Sequence, residues 1–195
     1  MKPLAFALLT LAATPGVADT VWEIEGNRAY LDGSIDWSTL DELDDILRSD
    51  PQVDTLVLGY VEGSLDDEAN LELAREIRAL GWATLVPAEG LVASGGTDLF
   101  LAGTTRSLEP GACVGVHAWA TDDFTANDLA RSDPEHGPYL YYFADIGIPE
   151  AFYWFTLEAA PAHDMHWMTA AEVDRFGLTT EAAPPLGNER DCRWR

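Results

Sequence analysis

Strand-like and helix-like segments alternate along this chain over short connections, which predicts an α/β domain with a largely parallel sheet flanked by helices. Two patterns carry that prediction. Apolar runs rich in β-branched residues stand at 21–25, 28–32, 55–59, 82–87 and 113–119. Between and after them, apolar residues recur at helical spacing and are bounded by capping residues and glycines.

The elements follow in order. Val21–Glu25 and Arg28–Asp32 flank Gly26-Asn27, a hairpin signal. Ser38-Thr39-Leu40-Asp41 is a capping-box pattern, after which Leu40, Leu43 and Leu47 share one helical face. Residues 66–80 put Ala69, Leu73, Ile77 and Leu80 on one stripe, with acids gathered in the first turn where the helix dipole favours them. Leu85-Val86-Pro87 leads to the small-residue stretch Val92-Ala93-Ser94-Gly95-Gly96 and a helix-compatible run over 97–102. Residues 121–138 are polar, with Gly137, Pro134 and Pro138, and read as a loop or insertion. Residues 139–147 and 149–160 read as aromatic-rich helices. Thr169-Ala170-Ala171-Glu172 is a further capping box, and its helix stops at Gly177.

The 195 residues carry 34 acids against 11 Lys and Arg, a net charge of −23. Such a chain repels nucleic acid and anionic lipid, so neither is an expected partner. Lys2, the apolar run over 4–13, and Gly16 and Ala18 ahead of Asp19 have the layout of a secretory leader at 1–18, cleaved after Ala18. Its apolar run is too short to span a bilayer, no later segment is apolar enough to do so, and a periplasmic or secreted location is expected. The domain then covers 19–187, with a tail at 188–195.

Lys2 is the only lysine. A Ser-Lys dyad is therefore excluded from the mature chain, and a serine nucleophile would need a histidine or carboxylate as base. Cys113 and Cys192 lack metal-like spacing; in an oxidising compartment one disulfide is the simplest reading, with two free thiols as the alternative. His163, Asp164 and His166 form an H-D-x-H cluster, but a zinc site usually needs further ligands, and neither metal nor cofactor is expected. The aromatic group from Tyr139 to Phe155 reads as core or as a subunit interface, which leaves a homo-oligomer open; a substrate groove is the lesser reading.

Ser94 lies between small residues where a strand gives way to a helix. There it is either a helix cap or a nucleophile beside backbone N–H groups able to hold an oxyanion. His117 stands 23 residues later at a predicted strand end. The order of features resembles the Clp protease proteolytic subunit and the wider Clp/crotonase superfamily. The matching residues are a strand over 55–59, the turn Tyr60-Val61-Glu62-Gly63-Ser64, the Ser94 turn, Ala102-Gly103, Gly115-Val116-His117, and Met168-Thr169-Ala170 before a closing helix. The resemblance spans about residues 28–180 and looks most like a periplasmic or secreted branch without an ATPase partner.

The resemblance implies a spiral of β-β-α units and a serine hydrolase acting on peptides or other small substrates. Ser94 would attack, His117 would transfer protons and Asp164 would orient His117, while the Gly63 and Gly95 amides would hold the oxyanion. Two departures stand out. Asp164 sits one residue from the position the family would give its acid. Glu62 replaces a glycine, which restricts the turn and sets a carboxylate beside the oxyanion unless it faces solvent. A binding module that keeps the fold without catalysis is the rival reading.

Overall fold

A computed structural model describes residues 20–193; the leader expected at 1–18 lies outside them. The hairpin pairs β1 (Val21–Glu25) with β2 (Arg28–Asp32), and helix α1 (Trp37–Ser49) follows. Strands β3 (Thr55–Leu58) and β4 (Tyr60–Val61) precede helix α2 (Asp67–Leu80). Strands β5 (Ala83–Val86) and β6 (Leu91–Ala93) precede the short helix α3 (Gly95–Leu101). Strands β7 (Arg106–Leu108) and β8 (Cys113–Val116) come next, then helices α4 (Gly137–Ile146) and α5 (Glu150–Ala159). Strand β9 (His166–Trp167), helix α6 (Ala170–Phe176) and a last turn of helix, α7 (Glu189–Cys192), complete the chain.

From β3 to β8 each pair of successive strands is split between two sheets, whereas β1 and β2 share the first. One sheet runs β1-β2-β3-β5-β7, and the other runs β4-β6-β8-β9. Thus β3, β5 and β7 line up parallel in the first sheet while their immediate successors β4, β6 and β8 line up parallel in the second. The antiparallel pairs are β1 with β2 and β8 with β9. This alternation is the spiral that the sequence analysis expects. The core fills the space between sheets and helices with Leu31, Ile35, Leu56, Leu73, Phe100 and Phe152, all nearly or fully buried.

Several boundaries differ from the sequence reading, each for a local reason. Helix α1 is capped by Asp36, not Ser38: the Asp36 carboxylate accepts from Ser38 N at 2.8 Å, and Thr39 Oγ1 accepts from Asp36 N at 3.1 Å. Leu80 leaves the buried stripe of α2 and is exposed, while Ala69, Leu73 and Ile77 stay inside. Tyr60–Val61 is a strand in its own right, because Val61 and Val92 continue the second sheet beyond the bend at Gly59. A Cβ on Gly59 would stand 2.4 Å from the Asp32 carboxylate. The strand expected over 113–119 ends at Val116, after which Ala118 N bonds to Ala160 O at 2.9 Å instead of continuing a ladder. The loop at 121–138 contains two turns of 3-10 helix, Ala126–Asp128 and Pro134–His136. The Thr169–Glu172 capping box and the Gly177 stop of α6 stand as read.

Cys113, at the start of β8, forms a disulfide with Cys192 in α7. That bond ties the tail to the second sheet and is compatible with an oxidising location. No helix among the described residues is long and apolar enough to cross a membrane.

Candidate active site

Ser94 follows β6 with no intervening loop, and its position is set from three sides. Its amide donates to Gly115 O at 3.1 Å, which docks it on β8 two residues before His117. Thr97 Oγ1 donates to the same carbonyl at 2.8 Å. The Ser94 carbonyl accepts from Thr97 N and Asp98 N, starting α3. Forcing the chain from strand to helix within one residue places Ser94 at φ 53°, ψ −127°, where a side chain costs about 1–3 kcal/mol. It is the one non-glycine with positive φ among the described residues. Its hydroxyl makes no capping hydrogen bond, so the helix-cap reading of this serine does not apply.

The glycines that follow are demanded by packing. A Cβ on Gly95 would lie 2.5 Å from Ser64 Oγ, and one on Gly96 would lie 2.2 Å from Val61 O. Asn70, buried in α2, donates to Gly95 O at 3.0 Å and holds the same junction from below. Gly63 faces the nucleophile candidate: a Cβ there would stand 3.4 Å from Ser94 Cβ and 3.8 Å from Ser94 Oγ. Gly95 heads α3, and the first amides of a helix have no acceptor within it. Glu62 is exposed, accepts from Tyr60 Oη at 3.3 Å, and is not among the positive-φ residues. The missing glycine at this position therefore costs the turn nothing.

His117 and Ser94 line one cavity of about 40 Å³, together with Asp67, Asp98, Tyr139 and Tyr153. Roughly 10–15 Å³ on this measure admits one water, so the chamber takes about three water-sized groups. His117 Nδ1 is buried with no hydrogen-bond partner. Burial pushes the imidazole below its usual 6.5, with the Ala118 backbone and then Asp67 pulling the other way, which favours the neutral ring at pH 7. Trp119 stacks on Tyr139 at 5.8 Å and Tyr139 on Tyr153 at 5.7 Å, forming an aromatic wall. Tyr153 Oη accepts from Trp119 Nε1 at 2.9 Å and bonds buried His136 Nδ1 at 2.6 Å; Tyr139 Oη donates to Asp67. Tyr142, Phe143, Phe152 and Tyr153 are buried in the core, and only Tyr141 of this group is widely exposed.

The structure does not bring Asp164 to this cavity. Its exposed carboxylate accepts from Arg193 Nη2 at 2.9 Å and from Met165 N at 2.9 Å, and it lines a separate cavity of about 640 Å³ beside the C-terminal tail. There its carboxylate meets Arg193 of the tail, which the disulfide ties to β8. The H-D-x-H cluster disperses in the same way. His166 Nε2 lies 3.1 Å from Glu172, and no group of three or more metal-ligating side chains occurs among the described residues.

Sequence reasoning missed Asp67 and Asp98 as cavity residues. A signal for Asp98 exists: it is an acid four residues after Ser94, immediately before the apolar run Leu99-Phe100-Leu101-Ala102.

No protein-family model and no curated protein matches the chain by sequence. Solved structures do match its fold. An enoyl-CoA hydratase from Polaromonas sp. JS666 aligns at a TM-score of 0.51 and 14% identity, over 85% of this chain and 71% of that one. A serine-to-alanine variant of the membrane-bound stomatin-specific protease 1510-N aligns at 0.51 and 14%, over 77% and 75%. DspI from Pseudomonas aeruginosa aligns at 0.50 and 15%, over 95% and 80%. The chain thus has the crotonase-type fold, a fold that carries both hydratases and a protease.

Proposed function

We propose that this protein is a serine hydrolase that transfers acyl groups through Ser94 with His117 as its base. The observation that carries the reading is the backbone of Ser94. An uncapped serine is held at positive φ on an abrupt strand-to-helix turn and shares a cavity with a neutral histidine. Strain of this kind, retained at a position where glycine would be unstrained, suits a nucleophile that must project from the turn.

In this reading His117 takes the Ser94 proton as the hydroxyl attacks the substrate carbonyl and returns it to the leaving group. The Gly63 and Gly95 amides hold the oxyanion. Asp164 has no part, and His117 works without an orienting carboxylate on Nδ1. Packing must fix the ring, so turnover is expected to fall below that of a full triad. Small peptides or esters are the substrate class, and export to a periplasmic or extracellular space accords with the disulfide.

A fluorophosphonate probe tests the reading. It should label the purified protein at Ser94, and Ser94→Ala should abolish both labelling and ester hydrolysis. Absence of both labelling and turnover in the native protein would reject it in favour of a binding module, and turnover that survives Ser94→Ala would place the chemistry elsewhere.

A further inference from the structure

Asp98 is an acid on the chamber wall that the hydrolase reading leaves unused. It lies one helical turn beyond Ser94, so residues 94, 97 and 98 face the cavity together at i, i+3 and i+4 spacing. Its carboxyl makes no side-chain hydrogen bond among the described residues, although its own carbonyl accepts from Tyr142 Oη at 2.7 Å. The titratable groups around it are Asp67 from α2, His117 beyond β8, Tyr139 and Tyr142 from α4, and Tyr153 from α5. Arg75, Arg78 and Arg106 act on Tyr142 and do not line the chamber.

This environment holds no cation for an ionised carboxylate, and it contains a second acid. Burying an unpaired charge there is costly, whereas a protonated carboxyl fits and carries a free O–H. Burial, and secondarily Asp67, pushes the Asp98 carboxyl well above the usual carboxylate range. The same wall disfavours phenolate: burial raises Tyr139 beyond its normal value and Tyr153 to about 12. The wall also holds Asp67, whose oxygens accept from Ser64 Oγ and Tyr139 Oη.

We infer that Asp98 is a substrate-binding residue: a neutral carboxylic acid that donates a hydrogen bond to a small, uncharged acceptor group seated in the chamber beside Ser94. The chamber's size limits that group to an amide, hydroxyl or short carbonyl fragment; the Asp98 donor selects against ammonium, which has no acceptor, and Asp67, its oxygens already taken by Ser64 and Tyr139, selects against a carboxylate. The inference deepens the active-site reading and rests on it.

Titration of the intact protein with acetamide, acetate and methylammonium, followed by NMR at pH 7, tests the inference without any turnover. Acetamide should bind in preference to both ions and perturb resonances of α3 and His117. Asp98→Asn keeps a neutral donor of the same shape and should retain this order. Asp98→Leu should weaken acetamide about tenfold, the loss expected for one buried hydrogen bond. Preference for methylammonium, equal binding to Asp98→Leu, or no acetamide binding to the wild type would each overturn the proposal. Isotope-edited infrared spectra give a second measure: a protonated carboxyl band present in the wild type and lost in Asp98→Asn supports it, and carboxylate alone refutes it. Fluorophosphonate labelling of Ser94 is scored separately, so failure of the hydrolase reading is distinguishable from failure of the Asp98 assignment.

Discussion

The cavity beside Ser94 is lined in part by β8 and the cavity beside the C-terminal tail by β9, the strand paired with it, yet they are built on opposite principles. Around Ser94, polar groups are left unpartnered: the serine hydroxyl has no cap bond and His117 Nδ1 is buried without a partner. Around the tail, charges are matched. Asp164 and Glu189 share Arg193, His166 meets Glu172, and a disulfide closes the assembly. A folded chain tolerates unsatisfied buried groups where something else maintains them, and function is the commonest cause. The difference separates candidate chemistry from architecture more sharply than residue type does. Asp164 looked like a catalytic acid by its position in the sequence, but it is a surface ion-pair partner.

The largest effect that can break this comparison is loss of the proposed nucleophile. Ser94→Ala should reduce hydrolysis of an activated ester on the order of 10³-fold or more, measured as kcat/KM, while leaving the fold intact by circular dichroism. A residual rate near wild type would place the chemistry elsewhere.

Next comes the tail. Removing the Cys113–Cys192 bond frees a sequence separation of 79 residues, which loop-closure entropy values at about 4–5 kcal/mol. Denaturant unfolding of the Cys113→Ser/Cys192→Ser variant should register most of that loss. Mass spectrometry of the native protein without reductant should show two hydrogens fewer than the reduced form. Two alkylatable thiols in the native protein would remove the covalent tie from the comparison.

The pH profile gives a smaller effect. His117 is held below its usual 6.5 by burial, so its neutral, base-competent form persists below that pH, and the acid limb of kcat/KM should have its midpoint under 6.5. The stability sign agrees: the unfolded state binds more protons through this window, so His117 favours the fold above 6.5 and opposes it as pH falls. His117→Ala should erase the limb along with most activity.

Smallest of all should be Asp164→Asn and Glu62→Gly. The first breaks an exposed ion pair, for which about 0–1 kcal/mol of stability is typical, and should leave kcat/KM within about twofold. The second alters a solvent-facing side chain at a residue that needs no glycine, and steady-state kinetics should barely register it. A large loss of activity in Asp164→Asn would return that residue to the mechanism.

Much of this was legible in the chain. Hydrophobic periodicity, capping residues and stop glycines located the longer helices, because those signals act over a few residues and need no distant partner. The hairpin at Gly26-Asn27 followed from local pattern, and the spiral from the family resemblance that the order of features carries. The two-residue strands β4 and β9 were not legible, since strands so short exist only through the neighbours that pair with them.

The same division runs through the site. The sequence by itself placed Ser94 on a strand-to-helix turn among small residues, put His117 near a strand end, and excluded lysine as a base, all of which depend on identity and spacing. The tertiary structure decided the rest. It left the Ser94 hydroxyl uncapped, sent Asp164 to Arg193, turned Glu62 to solvent and aimed Asp98 into the chamber. Those outcomes depend on which side chains meet in the packed fold, Asp164 and Arg193 across 29 residues among them, and on whether a buried charge finds a partner. Burial and charge pairing are properties of the packed molecule, and no window of sequence contains them.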